Sequence, residues 1–430
     1  MTGFAVKFLG CKVSQADAML ARQALLGAGH AEVPESEAEL HVINTCCITS
    51  EAEAKSRQSV RRSLKQAERV LVTGCAVNLA PQRFAEIDPR VSALVGTADE
   101  VAGRIGGDAA LACADLEHDV WARERRHDAI REPGAGSRTR GFVKVQDGCD
   151  SHCAYCIIPA VRGGARSRPV SAILDEVARR VADGQPEMVL TGISVGDYRD
   201  PERGLELGEL MMAVARVPGV ARVRLSSVEV IHVKDSLLRA LCEEPKVCPH
   251  LHVPMQSGDD AVLADMGRHY TADEYLDHIA RLRAAVRRRG PISVTADVIV
   301  GFPTEDEAAF ARTLQAVDAA QLSRVHVFPY SPRPGTAAAA LGDRVSPQEK
   351  KDRSRRLRAR SEVRSRLHRA AQLGRRLEVL VDKVADTRCS GYTADYTRCY
   401  LDNDPAHPRE RGQLVDVVAR ELYADGIRCG

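Results

Sequence analysis

Three short apolar runs near the start of the chain each lead to a cysteine. The runs cover residues 4–10, 41–44 and 69–74, and they precede Cys11, Cys46 and Cys75. Helical patterns lie between them, at residues 15–26 and from Ser50, where Ser50 and Glu53 form a capping box. This alternation of strands and helices predicts a parallel sheet.

The three cysteines occupy equivalent positions, at the carboxyl ends of their predicted strands. In an open parallel sheet the loops at those ends converge on one edge. We therefore expect Cys11, Cys46 and Cys75 to share one site, although free cysteines are also common as small buried apolar residues. Cys47 competes with Cys46 for the middle position.

A second trio, Cys149, Cys153 and Cys156, has the compact spacing C-x3-C-x2-C. Iron–sulfur clusters normally take four cysteine ligands, and structural zinc sites group their ligands in two separated pairs. A compact trio therefore predicts a four-iron cluster with one iron open to another ligand. A zinc knuckle is the alternative.

The rest of the chain predicts two further parts. Six strand-like runs alternate with helical stretches, which predicts an open, partial (βα)6 barrel whose carboxyl-end loops carry the chemistry; the runs are 142–146, 188–191, 223–226, 251–254, 294–300 and 325–328. Short β-rich pieces at 377–381 and 413–418 predict a small antiparallel β-barrel. Residues 132–137, rich in Pro, Gly and Ser, predict a linker.

Charge is concentrated in one segment. The chain carries a net charge of only +2, yet residues 350–376 contain 12 Lys or Arg and two acids, which makes this segment +10. Because i,i+4 partners do not balance this excess, it predicts contact with a polyanion; a solvated helix face is the alternative. Tyr392, Tyr396 and Tyr400 are candidates for stacking on bases or for core packing.

Cysteine usage and hydropathy restrict the class of protein. Thirteen cysteines is an odd number, and trios do not suit a disulfide framework, which indicates a reducing compartment. No apolar run approaches 18 residues, and no secretory segment follows Met1. These features predict a cytoplasmic protein with no membrane partner.

Both trios occur within longer motifs, and these resemble the radical S-adenosylmethionine (SAM) methylthiotransferases over nearly the whole chain. The motifs are Leu9–Val13, Val42–Cys46, Val72–Cys75, the central trio, Leu190–Gly192, Leu225–Glu229, His250–Gly258, Asp297–Pro303 and Phe328–Thr336. Residues 11–13, 55–58 and 328–333 are most similar to the branch that acts on N6-threonylcarbamoyladenosine at position 37 of tRNA. Branches acting on isopentenyladenosine-37 or on a ribosomal protein remain rivals, as does a non-enzymatic, metal-containing RNA-binding protein.

The resemblance implies an enzyme with two [4Fe-4S] clusters and SAM. The cluster on the central trio would reduce SAM to methionine and a 5′-deoxyadenosyl radical. The cluster on Cys11, Cys46 and Cys75 would hold the sulfur that is methylated by a second SAM and delivered to C2 of adenine. No side chain is assigned a catalytic role, and the implied SAM contacts, each with a barrel-core alternative, are Tyr155, Thr191, Gly192, Ser227, Glu229 and Gln256.

The resemblance also implies domains and partners. Residues 1–113 would form the methylthiotransferase domain with the auxiliary cluster, 135–371 the radical SAM domain, and 372–430 a TRAM-like RNA-binding domain. The implied partners are tRNA and an electron donor such as flavodoxin or ferredoxin. The expected state is a monomer or a weak dimer.

Overall fold

A computed structural model describes residues 2–106, 139–287, 290–385, 387–403 and 408–430. The linker predicted at 132–137 and the domain end predicted at 113 lie outside these residues. The chain divides into two compact units. The first comprises residues 1–133, 147–152 and 156–166, and the second comprises 134–146, 153–155 and 167–430.

The first unit contains a five-stranded sheet in which every pairing is parallel, in the order β2-β1-β3-β4-β5. Its strands are β1 Gly3–Phe8, β2 Ala31–Glu32, β3 Leu40–Thr45, β4 Arg69–Gly74 and β5 Val91–Ala93. Its helices are α1 Lys12–Gly27, α2 Ser50–Ser63, α3 Cys75–Leu79, α4 Gln82–Ala85, α5 Ala98–Gly106 and α6 Ile158–Arg162. Every residue of the central strand β3 is buried, and the predicted parallel sheet is confirmed.

The cap of α2 differs from the prediction. The N-cap is Thr49, whose side-chain oxygen accepts a hydrogen bond from the amide of Ala52. The predicted box of Ser50 and Glu53 is therefore wrong by one residue, because the chain is still extended at Thr49. Glu53 instead forms ion pairs with Arg57 and Arg83.

The second unit contains the predicted partial barrel. Six parallel strands follow one another in sequence order, as the sheets β10-β9-β6 and β11-β12-β13. Val223 in β10 pairs with Val247 just before β11, which joins the two sheets. The six strands are β6 Arg140–Lys144, β9 Glu187–Thr191, β10 Arg222–Leu225, β11 His250–His252, β12 Ser293–Val300 and β13 Arg324–Pro329.

Helices cover the outside of this barrel and enclose one large apolar core with its strands. They are α7 Val170–Ala182, α8 Leu207–Ala215, α9 Asp235–Glu243, α10 Asp260–Asp265, α11 Ala272–Val286, α12 Glu307–Ala319 and α14 Pro347–Ala370. The short helix α13 Ala337–Ala340 belongs to a separate apolar cluster with Phe302 and Tyr330. Two further short strands, β7 Gln146–Asp147 and β8 Arg166–Ser167, each have one residue in either unit. None of the described helices is long and apolar enough to cross a membrane.

The 24-residue helix α14 lies along the free edge of β13. The Ser361 hydroxyl accepts a hydrogen bond from the amide of Val325 and donates one to its carbonyl. Arg358 donates to the carbonyl of Val327. Side chains of α14 therefore form hydrogen bonds with backbone amide and carbonyl groups at the edge of β13, where a neighbouring strand would otherwise pair.

The last five strands form a closed barrel in the order β14-β15-β16-β18-β17. They are β14 Arg376–Val384, β15 Arg388–Thr393, β16 Arg398–Asp402, β17 Leu414–Tyr423 and β18 Gly426–Cys429. The predicted small barrel is confirmed. One of its pairings, β16 with β18, is parallel, whereas the others are antiparallel.

A buried ionic network joins this C-terminal barrel to the amino-terminal ends of the partial barrel, within the second unit. Arg224 in β10 pairs with Glu187 in β9 at 2.9 Å and donates to the carbonyls of Thr393 and Ala394. Its guanidinium also lies 4.4 Å from the ring centre of Tyr396.

Two of the three candidate stacking tyrosines lie at this junction. The rings of Tyr392 and Tyr396 stack on each other at 5.2 Å, and the guanidinium of Arg140 lies over both. Tyr400 packs against Tyr423 on the C-terminal barrel. The structure thus supports intramolecular packing for Tyr392 and Tyr396.

Candidate active site

The first cysteine trio lies at the carboxyl edge of the five-stranded sheet. Cys11 is the N-cap of α1, Cys46 follows β3 directly, and Cys75 is the first residue of α3. Cys46 and Cys75 are buried, whereas Cys11 is exposed. The three thiols therefore differ in their exposure to solvent.

Two glycines bring the loops of this edge together. Gly10 and Gly74, which immediately precede Cys11 and Cys75, have φ angles of 118° and 94°. A Cβ on Gly10 would lie 2.9 Å from the Cβ of Cys46, and one on Gly74 would lie 2.7 Å from the carbonyl oxygen of Thr45. Only glycine allows both the backbone conformation and this close approach.

The thiols of this edge have different acidities. A hydrogen bond from Cys47 and the nearby guanidinium of Arg162 lower the pKa of Cys75 to about 7, although burial opposes this shift. Burial raises the pKa of Cys46 to about 11. Both Cys46 and Cys47 lie near Cys75, and the charges of Cys11 and Cys75 act on Cys46. Cys46 and Cys47, the two candidates for the second ligand of this trio, therefore both lie close to Cys75 in the structure.

The chemistry of this edge fits an iron–sulfur cluster. Thiolates are soft ligands that hold iron, and a cavity of about 340 Å³ beside Cys75 is lined by Asn44, Asp17 and Arg162. The buried Oδ1 of Asn44 has no hydrogen-bond partner among the described residues. The described residues contain no group of three or more His, Cys, Asp or Glu side chains already close enough to hold a metal ion.

The second trio follows β7 in a loop whose residues belong to both units. In the first unit, the amide of Cys149 donates to the carbonyl of Gly163, and the amide of Ser151 donates to the Cys149 sulfur. A Cβ on Gly148, where φ is 70°, would lie 1.9 Å from the carbonyl oxygen of Gly164. The loop before α6 is thus tightly folded, and all three cysteines are half-buried.

In the second unit, Cys153 is bound by a buried arginine. Nη1 of Arg268 lies 3.3 Å from the Cys153 sulfur and 3.1 Å from a carboxylate oxygen of Glu229. The Arg268 side chain is only 4% exposed. Its other terminal nitrogen, Nη2, is buried and has no partner within the described part of the chain.

The candidate SAM contacts lie at or beyond the carboxyl ends of the barrel strands. Thr191 ends β9 and Gly192 follows it, Ser227 and Glu229 follow β10, and Gln256 follows β11. Tyr155 packs against the apolar cluster that contains Phe302 and Tyr330. The described residues provide no hydrogen-bond partner for the buried hydroxyls of Thr191 and Ser226. Together with Arg268 Nη2, these atoms provide polar groups for a bound molecule.

Comparisons with known proteins agree with this geometry. Residues 143–317 match the model of the radical SAM superfamily, and residues 3–96 match the family described as uncharacterized protein family UPF0004. The threonylcarbamoyladenosine tRNA methylthiotransferase MtaB of Thermotoga maritima is 33% identical over 98% of this chain and 95% of its own. The chain belongs to the radical SAM methylthiotransferase family.

Two relatives of the methylthiotransferase carry different substrate names. MtaB of Bacillus subtilis is 32% identical over 98% of both chains. The tRNA-2-methylthio-N(6)-dimethylallyladenosine synthase of Geobacter metallireducens is 33% identical over 98% of this chain and 96% of its own. Because these identities are nearly equal, they do not distinguish the two branches.

A solved structure has the same fold. The radical SAM methyltransferase TsrM of Kitasatospora setae superposes with a TM-score of 0.56 and 15% identity, over 81% of this chain and 80% of its own. The methylthiotransferase is an enzyme that uses SAM and [4Fe-4S] clusters, the cofactors of its family.

The basic segment is partly neutralised in the folded methylthiotransferase. Among the residues that the structure describes, half of its cations form ion pairs, four of them with acids outside the segment. The pairs are Lys350–Asp343, Arg353–Glu305, Arg355–Asp352, Arg356–Glu307, Arg360–Asp318 and Arg369–Glu362. The four outside acids reduce the local charge from +10 to +6. The expected self-repulsion is therefore smaller than the sequence indicates.

Four exposed cations of this segment form neither an ion pair nor a side-chain hydrogen bond within the part of the chain that the structure describes, whereas a fifth, Arg358, donates to the carbonyl of Val327. The four are Lys351, Arg366, Arg375 and Arg376. Lys351 and Arg366 lie on α14, and the other two lie where α14 leads into β14. We call these four residues the basic surface.

Sequence reasoning missed two residues that contact candidate cluster ligands, Arg162 and Arg268. The sequence signal for Arg162 is its position six residues after Cys156, since cations beside thiolates stabilise them, but its contact with Cys75, 87 residues earlier in the chain, has no local signal. No comparable signal identifies Arg268, because it reaches Cys153 from a loop 115 residues away.

Proposed function

We propose that this methylthiotransferase adds a methylthio group to C2 of N6-threonylcarbamoyladenosine at position 37 of tRNA. The observation that carries the reaction is the presence of two three-cysteine sets, one at the carboxyl edge of the five-stranded sheet and one in the loop that follows β7. The choice of substrate is supported by the motif segments 11–13, 55–58 and 328–333 and by relatives named for this nucleoside.

Cys11, Cys46 and Cys75 would hold the auxiliary cluster, and Cys149, Cys153 and Cys156 would hold the cluster that binds SAM. The first assignment is supported by the close approach of the Gly10 and Gly74 loops to Thr45 and Cys46. The second rests on the spacing in the sequence. When bound, the clusters and SAM supply the radical and the sulfur chemistry.

Residues at the barrel mouth would bind and orient SAM. Arg268 holds Glu229 and donates to the Cys153 sulfur, so it links a cluster ligand to a candidate SAM contact. A carboxylate suits ribose hydroxyls, as in dinucleotide-binding folds. The unpaired Nη2 of Arg268 suits an anionic group such as the SAM carboxylate.

The basic surface would bind the phosphates of tRNA in the cytoplasm. Its four cations are exposed and carry no ion pair among the described residues, so phosphate contact would displace only water and counterions. The ion-paired cations Arg356 and Arg360 provide matched controls, because their charge is already compensated by Glu307 and Asp318.

The test of this function uses the anaerobically reconstituted enzyme with SAM and a reductant. It is offered a tRNA carrying threonylcarbamoyladenosine, the same tRNA unmodified at position 37, and a tRNA carrying isopentenyladenosine. Mass spectrometry of the nucleosides is expected to show the methylthio increment on the first only. Turnover of the isopentenyl substrate alone would refute the branch, and turnover of no tRNA would favour a ribosomal-protein substrate.

The same assay distinguishes the two neighbouring cysteines. Cys46→Ala is expected to abolish product formation, whereas the matched control Cys47→Ala is expected to retain it. The reverse result would assign the ligand role to Cys47.

A further inference from the structure

Arg162 is a buried cation with three separate partners, all within the first unit. Its Nε lies 3.1 Å from the Cys75 sulfur, Nη1 lies 2.9 Å from Oδ1 of Asp147, and Nη2 lies 2.8 Å from Oδ2 of Asp17. The Arg162 side chain is 6% exposed. Each of its three nitrogens is thus directed at a different acceptor.

The two carboxylates hold the guanidinium in place. Asp17 lies on α1, and Asp147 ends β7, two residues before Cys149. Both carboxylates are largely buried, with 4% and 11% of their side chains exposed. A lysine could not bind three acceptors in this planar arrangement, because its ammonium is a compact point charge.

Arg162 also lies next to the backbone that supports the second trio. The following residue, Gly163, accepts a hydrogen bond from the amide of Cys149 at 3.1 Å. One short segment therefore contacts the Cys75 sulfur through a side chain and the Cys149 backbone through a carbonyl.

Hydrogen bonds to cluster sulfurs and nearby positive charge change the reduction potential of an iron–sulfur cluster. A reduced cluster carries one more negative charge than the oxidised cluster. An N–H donor and a buried cation at a ligand sulfur therefore stabilise the reduced form and raise the potential.

We propose that Arg162 is a positioning residue that binds the Cys75 thiolate and raises the reduction potential of the auxiliary cluster. This inference rests on the proposed function, which makes Cys75 a ligand of that cluster. It adds a role for a residue outside both cysteine trios.

The test uses the full-length chain with Cys149, Cys153 and Cys156 replaced by Ala, so that only the auxiliary cluster remains. Arg162→Gln and Arg162→Lys are made in this parent, and Arg83→Gln is the matched control, because Arg83 is a 63% exposed arginine of the same unit. The midpoint potential is measured by redox titration with electron paramagnetic resonance detection, and iron is counted in each protein.

Arg162→Gln is expected to lower the ratio of reduced to oxidised cluster at least tenfold at a fixed potential, a negative shift of about 59 mV for one electron. Arg162→Lys, which keeps a charge, is expected to shift less, and Arg83→Gln is expected not to shift. Unchanged potentials in both Arg162 variants, or loss of the cluster from both, would overturn the tuning role. A parent protein without a cluster would instead refute the assignment of Cys75, and the inference with it.

Discussion

Replacing Arg224 by Met tests how the C-terminal barrel is held on the radical SAM barrel. The Arg224 and Glu187 side chains are each 1% exposed. Although burial favours the neutral acid, the guanidiniums of Arg224 and Arg222 hold the pKa of Glu187 below its ordinary value. Glu187 is therefore charged at neutral pH, and Arg224→Met leaves that charge with the longer contact of 3.8 Å to Arg222 and the charge of Arg140.

The expected cost is large. Removing one partner of a buried ion pair typically destabilises a protein by about 3–5 kcal/mol, a sizeable part of a total stability of about 5–15 kcal/mol. The loss corresponds to an increase of about 2 to 3.5 orders of magnitude in the equilibrium for opening the junction. Arg428→Met is the control, because Arg428 is 44% exposed and its pairs with Asp402 and Glu421 are solvated. We expect it to cost below about 1 kcal/mol.

Hydrogen exchange of strands β14 to β16, followed by mass spectrometry on the anaerobic protein, measures this opening directly. Arg224→Met is expected to accelerate exchange in these strands and to weaken tRNA binding, while SAM cleavage persists. Combining it with Glu187→Met should recover much of the loss, since apolar replacement of a buried pair is often neutral. An effect of Arg224→Met no larger than that of Arg428→Met would refute the reasoning.

Three further predictions follow from other contacts. Ser361→Ala is expected to destabilise the second unit by about 1–3 kcal/mol in urea unfolding, because it leaves the buried amide and carbonyl of Val325 without their partner. Burial alone would raise the pKa of Asp395, but hydrogen bonds from His368 and Thr393 lower it to about 2. Its contribution to stability is therefore present above the unfolded value of about 3.9 and is lost as pH falls through about 2; Asp395→Asn should show a smaller loss of stability than the wild type between pH 6 and pH 2. Replacing Lys351, Arg366 and Arg375 by Glu should weaken tRNA binding and reduce its salt dependence without affecting SAM cleavage. The control variant carries Arg356→Glu and Arg360→Glu. A loss of tRNA affinity in the control equal to that in the triple variant would contradict a specific basic surface.

Local sequence patterns predicted the architecture well. The predicted runs that alternate with helices correspond to the observed parallel strands β1, β3 and β4 and to the six barrel strands. The predicted and observed ends differ by about two residues or fewer. Hydrophobic periodicity is a local property, and the carboxyl ends of parallel strands necessarily share an edge. For that reason, Cys11, Cys46 and Cys75 could be grouped before any distance was known.

Contacts between distant side chains could not be predicted in this way. The net charge of residues 350–376 was visible, but the acids that compensate it, such as Glu305 and Asp318, come from other elements. As aromatic residues, Tyr392 and Tyr396 were candidates for stacking on bases. In the structure, however, the Tyr392 ring packs against the guanidinium of Arg140, and the Tyr396 ring packs against that of Arg224. Periodicity identifies a helix or a strand, whereas the partner of a long side chain depends on tertiary packing.

The most direct test of the central claim measures both products of the reaction with SAM labelled by a CD3 methyl group. Wild-type enzyme acting on tRNA with threonylcarbamoyladenosine is expected to form 5′-deoxyadenosine and a nucleoside carrying CD3S. The variant with Cys11, Cys46 and Cys75 replaced by Ala is expected to form 5′-deoxyadenosine without methylthio product, and the variant lacking Cys149, Cys153 and Cys156 is expected to form neither. Labelled methylthio product from either triple variant would contradict the division of the chemistry between the two cysteine trios.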